Sequence, residues 1–184
     1  TGVQTCALPI CCRVENRSQG AMTTKLFEEK QWLGGFSQRD KIEIRALEWP
    51  DDYEKGICDV LGQLTVCHTP RDVFGKVFDE MKRGANTFVV VAHRRSDDAV
   101  VGCGTVFIEP KFVHNGQSCA HIEDIVVSAK ERGSHVGQAI IESLLCISRQ
   151  SGSYKVILNC SENNVGFYKK CGFEPREVEM AVYF

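Results

Sequence analysis

The chain has 184 residues, a formal net charge of −2, 43% apolar residues and 25% charged ones. That length suits one domain with a full core, and the near-neutral charge excludes the global basic field of a nucleic-acid binder. No apolar run is long enough to span a bilayer.

Ten Cys are present, without Cys-x-x-Cys pairs or Cys/His ligand spacing, so neither a metal nor a redox dithiol is expected. Cys103, Cys146 and Cys160 fall in apolar segments, where free Cys acts as a small hydrophobe. This usage fits a reduced, cytoplasmic compartment (at most peripheral on endomembranes) better than a disulfide scaffold.

Residues 1–10, T-G-V-Q-T-C-A-L-P-I, read like a common short-read sequencing adapter translated in frame. Residues 11–21 show no periodicity, and Met22 begins an ordinary N-terminus. A targeting peptide is the rival reading, on Arg13, Arg17 and the apolar Ala7, Leu8 and Ile10. It lacks a continuous apolar region and a basic start before it. The expectation is a disordered 1–21 outside the fold and a single domain over 22–184.

In residues 41–47, Ile42, Ile44 and Ala46 alternate with Glu43 and Arg45, a half-buried strand. Pro50, Asp51 and Asp52 stop it. A helix follows over 53–66, with Ile57, Val60, Leu61 and Leu64 at helical spacing. Pro70 opens a second helix, whose apolar face is Val73, Val77, Phe78 and Met81 and whose end is Gly84. Strands are predicted over 87–93 and 99–112, with a turn at 96–98 between them. His114-Asn115-Gly116-Gln117 is a hairpin turn leading to a strand over 118–127. Further on come a helix over 136–149, a strand over 154–160, a short helix over 163–170 and a last strand over 173–184. The order is β-α-α-β-β-β-α-β-α-β, one α/β domain.

The richest stretch is I-E-D-I-V-V-S-A-K-E-R-G-S-H-V-G, residues 122–137. An apolar strand carries Glu123 and Asp124, then turns through a loop into a helix. Backbone N–H groups at such a helix start form an anion site, with phosphate the usual guest. Simple alternation sends Glu123 and Asp124 to opposite sides of the strand. A paired acid on an apolar strand is costly without a partner, which favours a functional role.

The element order, with Arg132 and Gly137 framing the loop, resembles the GNAT N-acetyltransferase family. H-I-E-D-I-V-V, G-S-Y-K-V-I-L-N-C, N-V-G-F-Y-K-K-C-G-F, I-E-P-K-F-V-H, L-G-Q-L-T and the late V-E-M are more specific. Together they resemble the glucosamine-6-phosphate N-acetyltransferases, from about the first strand onward. The resemblance implies an α/β GNAT fold, with a mixed, mostly antiparallel central sheet flanked by helices. It implies acetyl transfer from acetyl-CoA to the amine of glucosamine 6-phosphate, a step toward UDP-N-acetylglucosamine. It also implies direct attack in a ternary complex without an acyl-enzyme, and a homodimer that shares its active site.

Carried onto this chain, the coenzyme pyrophosphate falls on the backbone of Arg132, Gly133, Ser134, His135, Val136, Gly137 and Gln138. The Arg132 side chain either adds charge or is solvated, as is Lys130. Main chain at Ile125, Val126 and Val127 meets the pantetheine arm, while the apolar side chains themselves read as core. Tyr168 matches the hydroxyl that protonates the leaving thiolate, against a bland reading as a core aromatic beside Phe167. Asn164 matches a contact near the same arm, or is only an N-cap. Glu123 and Asp124 match acceptor contacts. Thr65, Lys111, His114, Tyr154 and Lys155 match sugar-phosphate or hydroxyl contacts, though a lone Lys near a turn is usually solvated. His121 and His135 read as structural or loop-lining.

Three positions depart from the family pattern. Asn159 stands where the family has an acid that orients or deprotonates the amine; Asn orients but takes no proton. Either Glu123 or Asp124 then does that work through water, or the rate is lower. His135 stands where the loop has Gly, which demands a negative φ or a side chain pointing away. Tyr183 replaces a basic residue near the C-terminus, which puts the phosphate site in more doubt than the coenzyme site. A different small amine acceptor, or a non-catalytic coenzyme-binding dimer module, are the alternatives.

Overall fold

Six strands form one sheet in chain order: β1 (Gln38–Arg39), β2 (Ile42–Ala46), β3 (Thr87–Arg94), β4 (Ala99–Glu109), β5 (Ser118–Val127) and β6 (Ser153–Ile157). Neighbours are antiparallel up to β5, and β6 joins β5 in parallel. The helices are α1 (Asp51–Glu54), α2 (Ile57–Leu61), α3 (Arg71–Gly84), α4 (Val136–Gln150) and α5 (Val165–Lys170). The computed structural model describes residues 25–28 and 41–184, and the backbone of Gln38–Arg39. The expectations for 1–21 lie outside these residues.

Helices cover both faces of the sheet. α4 lays Val136, Ile140, Ile141, Leu144 and Ile147 on one face, against Val90, Val106, Ala120 and Ile122. α2 and α3 cover the other with Ile57, Val60 and Phe78, against Val89, Val91, Cys103 and Val126. β3 is therefore buried from Phe88 to His93, which explains its unbroken apolar run. Below the second face, Asp52 is fully buried. Arg45 Nη1 donates to its Oδ2 at 2.8 Å, Arg45 Nη2 meets its Oδ1, and the Glu48 N–H donates to Oδ2 at 2.7 Å.

Several elements differ from the sequence expectation. The helix over 53–66 is two short pieces, because Gly56 takes φ 89° between α1 and α2 and Leu64 is exposed. The Val100 N–H donates to Lys55 O at 3.1 Å and pins that break to β4. α3 buries Gly75 and Phe78 and packs Phe74 and Met81 inward, while Val73 and Val77 are exposed. β4 ends at Glu109, because Pro110 has no N–H to donate, and Phe112 is exposed. β6 ends at Ile157, so Cys160 is exposed and is not the small core hydrophobe expected.

The last strand does not form within the chain. The tail 173–184 pairs with no strand among the described residues, and Val178, Met180, Val182 and Phe184 stand exposed. Alternation marks a strand but does not supply a sheet edge for it.

Candidate active site

β4 and β5 pair from Glu109↔Cys119 to Thr105↔Glu123, and again at Cys103↔Val126 and Gly102↔Val127. Between these stretches Gly104 alone faces Asp124 and Ile125, a β-bulge. Asp124 takes φ 53° there, in the left-handed region. Ile122 packs toward α4, whereas Val126 packs toward α2 and α3. Regular alternation would put both on one face, so the bulge turns the strand over. A Cβ at Gly104 would come 2.5 Å from Ile125 Cδ1 and 2.7 Å from Ile140 Cγ2, so the bulge needs glycine opposite it.

Glu123 and Asp124 adjoin the bulge and are both exposed. Burial, then the charge of Asp124, raises the Glu123 carboxyl above its usual value; Glu179 of the tail adds to this and His121 opposes it.

β5 and β6 part in the same region. Their ladder stops at His121↔Ile157. The rest of β5, with Ile125, Val126 and Val127, has no ladder on that edge. Among the described residues no strand bonds the main chain on that edge, although Val127 O accepts from Arg132 Nε.

The end of β5 leads to the loop. Ser128 N–H donates to Val101 O at 2.8 Å, and Arg132 Nε donates to Val127 O at 3.4 Å. Gly133 takes φ 85° with open space around it. His135 takes φ 64°, so the side chain is tolerated in the left-handed region and not by a negative φ. Its ring Nδ1 is tied to Gln138 Oε1. The first helical bond runs from Ala139 N–H to His135 O at 3.1 Å. The N–H groups of Val136, Gly137 and Gln138 precede it and have no intrahelical partner. With the helix dipole they form an anion cradle.

α5 closes the far side. A Cβ at Gly137 would come 3.1 Å from Phe167 Cζ. The Phe167 and Tyr168 rings meet edge-on with centroids 5.0 Å apart. Burial, followed by the nearby Cys160, Cys171 and Glu123, raises the Tyr168 phenol above its usual value. It stays protonated at neutral pH and can act as an acid. Asn164 stands at the N-cap position of α5 but makes no side-chain capping bond, so its amide is not used as a cap. Asn159 is exposed on the turn after β6.

The expected acceptor residues fall into two groups. At the end of β4, Lys111 Nζ pairs with Glu109 Oε2, and His121 Nε2 lies 2.9 Å from the same oxygen. At the start of β6, the His114 ring lies on Tyr154 with centroids 4.0 Å apart, and Lys155 Nζ sits 5.8 Å from that ring centroid. Thr65 lies in the exposed segment after α2, with its N–H bonded to Leu61 O at 3.2 Å. Cys67, two residues on, and Asp124 both act on the Cys103 thiol, which brings this segment toward the bulge.

Sequence reasoning missed Gly104, Phe167, Glu109 and His121 as parts of the site. Gly102 and Gly104 inside a strand were a readable sign of a bulge or close approach. Nothing in the sequence pairs Glu109 with His121. Neither Cys103 nor Cys58 is poised as a nucleophile: Cys103 is pushed up to about 12 and Cys58 to about 11, desolvation being the first cause for each. Among the described residues, no group of three or more His, Cys, Asp or Glu could hold a metal ion. No helix among them is long and apolar enough to cross a membrane.

The family pattern of the acetyltransferase (GNAT) family matches residues 43–173. Glucosamine 6-phosphate N-acetyltransferase 1 of Dictyostelium discoideum is 43% identical over 145 residues, 78% of this chain and 92% of that protein. Glucosamine 6-phosphate N-acetyltransferase of Trypanosoma brucei brucei is 37% identical over 139 residues, 76% of this chain and 93% of that protein. The crystal structure of glucosamine-6-phosphate N-acetyltransferase from Arabidopsis thaliana superposes with a TM-score of 0.75 at 36% identity, covering 79% of this chain and 99% of that one. The bulged, one-sided β5, the helix-start cradle and the sequence matches agree: the chain belongs to the acetyltransferase (GNAT) family, and these relatives within it are glucosamine 6-phosphate N-acetyltransferases.

Proposed function

We propose that this chain transfers the acetyl group of acetyl-CoA to the amine of D-glucosamine 6-phosphate, giving N-acetyl-D-glucosamine 6-phosphate and CoA. The reading rests above all on one arrangement: the open edge of β5 runs directly into the N–H groups at the start of α4, with Tyr168 alongside. The donor set fits the coenzyme. Main chain of Ile125, Val126 and Val127 suits an amide-bearing arm, and the N–H groups of Val136, Gly137 and Gln138 suit a pyrophosphate. When bound, the coenzyme supplies an activated acyl thioester and a sulfur leaving group.

The chain's own residues do the rest. Glu123, with its raised carboxyl pKa, takes the amine proton directly or through water. Asn159 orients the amine through its side-chain carbonyl. Tyr168 Oη holds a proton and gives it to the leaving sulfur. A main-chain N–H at the bulge polarises the acyl carbonyl. Lys111, His114, Tyr154, Lys155 and Thr65 hold the sugar and its phosphate. The working form is a homodimer in the cytoplasm, built from residues 22–184 as one domain. What supports the dimer is the tail, whose Val178, Met180, Val182 and Phe184 stand exposed and pair with no strand among the described residues.

A second reading keeps the coenzyme and changes the acceptor, because Asn159 and Tyr183 both lie on the acceptor side. Release of free CoA from acetyl-CoA, with glucosamine 6-phosphate against plain glucosamine, separates the two. Turnover with the phosphosugar alone is expected. Turnover with neither, beside tight acetyl-CoA binding, would falsify the proposal. Tyr168→Phe is expected to lower kcat far more than it changes KM. An unchanged kcat removes Tyr168 from the mechanism.

A further inference from the structure

The turn that leads into the cradle is tied to β3 by an ion pair, beside the bonds from Ser128 N–H to Val101 O and from Ala129 N–H to Gln63 Oε1. Arg94, the last residue of β3, sends Nη1 to Glu131 Oε1, thirty-seven residues away. Its Nε donates to Asp97 Oδ1 at 2.7 Å and its Nη2 meets Oδ2, so the guanidinium is itself held in place. Glu131 is also the main-chain hub of the turn. Its N–H donates to Ser128 O at 2.8 Å, and its carbonyl accepts the N–H of Ser134 at 3.3 Å and the Ser134 hydroxyl. Ser134 immediately precedes His135, the residue in the left-handed conformation that starts α4.

The Glu131 side chain is therefore fixed to β3 while its backbone shapes the turn before the anion site. Its charge is the wrong sign for that place. A carboxylate a few residues ahead of a phosphate cradle repels a pyrophosphate. Arg94 is the cation set against it, delivered from a strand that is not part of the cradle.

We propose that Arg94 and Glu131 are positioning residues for the coenzyme. Arg94, shared between Asp97 and Glu131, offsets part of the Glu131 charge and holds the turn so that the N–H groups of Val136, Gly137 and Gln138 meet the pyrophosphate. This rests on the acetyl-CoA reading above. A mere tie between β3 and the turn would affect stability, or both substrates alike. A positioning pair affects the coenzyme alone.

The test is calorimetric binding of CoA to the full chain, with KM measured separately for acetyl-CoA and glucosamine 6-phosphate. Absence of CoA binding by the wild type sinks the proposed function. Given wild-type binding, Arg94→Ala is expected to weaken CoA on the order of tenfold, the scale of one hydrogen bond to a charged group, with KM for the sugar unchanged. Arg94→Ala with Glu131→Gln is expected to recover part of that loss, because the repelling charge is gone. Should Arg94→Ala not fold, Glu131→Ala in the turn carries the test, with a smaller rise in the CoA Kd. Wild-type CoA binding in both single variants, or equal rises in both KM values, overturns the inference.

Discussion

Phe167 packs its ring edge on Gly137: a Cβ at position 137 would stand 3.1 Å from Cζ and 3.4 Å from Cε2. The contact joins the first turn of α4, whose N–H groups form the cradle, to α5, which carries Tyr168. A methyl group there pushes the ring aside by a few tenths of an ångström, and Tyr168 moves with it.

Gly137→Ala is accordingly expected to lower kcat on the order of tenfold, since small misplacement of a reacting group is costly. Stability should change little, because Ala favours a helix over Gly by ~1 kcal/mol and offsets the crowding. Steady-state kinetics beside urea unfolding check this. A wild-type kcat would show that Tyr168 is held independently of the loop.

The two acids predict a pH effect. Glu123 must be ionised to take a proton, and its raised pKa moves the acidic limb of kcat/KM upward. Asp124→Asn removes a like charge and should shift that limb down, though burial, the larger cause, keeps it above that of an ordinary glutamate. Asn also tolerates the left-handed φ of 53°, so the bulge is preserved. Stability follows the same sign. A raised folded-state pKa gives stability fully present below the unfolded value and lost as pH rises through the folded one. Glu123→Gln should then be more stable than wild type around pH 8 and equal to it around pH 4. pH–rate profiles and thermal melts at the two pH values test both statements.

Asn159→Asp restores a proton acceptor beside the amine. If the missing acid limits the rate, kcat with glucosamine 6-phosphate rises on the order of tenfold. No change would assign the whole of the base function to Glu123.

The buried Arg45–Asp52 pair anchors β2 to α1. Asp52→Ala removes the fully buried carboxylate that meets two nitrogens of Arg45, with Glu48 Oε2 still 3.9 Å from Nη1, and takes away the acceptor of the Glu48 N–H. The expected loss is ~3–5 kcal/mol, read by chemical denaturation, with kcat preserved where the protein stays folded. A loss under about 1 kcal/mol would mean the pair behaves as a surface ion pair.

Much of this was legible because the elements carry strong periods. β3, β5 and α4 follow directly from apolar runs bounded by turn residues. The cradle could be read from residues 132–138 because its chemistry is local. The bulge was only hinted at, by Gly102 and Gly104 inside a strand and by the adjacent acids of β5, because it is a property of pairing and the ladder alone shows where the register slips. The helix break at Gly56 was hidden by continuous apolar spacing on either side of it. The tail read as a strand since its residues alternate, but a strand needs an edge and it pairs with none among the described residues. His135 shows the limit of a local rule: a negative φ or an averted side chain was expected, and the residue takes the left-handed conformation with its ring held by Gln138.

The parting of β5 from β6 divides the labour of the site. In the proposed mechanism the arm and pyrophosphate of the coenzyme meet peptide backbone, present whatever side chains β5 carries, and Tyr168 meets its sulfur. On the acceptor side the contacts are side chains, each replaceable alone. In that mechanism an exchange such as the one at Asn159 changes the contacts to the amine and leaves the backbone contacts to the acyl donor in place. A scaffold of this kind can change its acceptor one residue at a time without losing its donor.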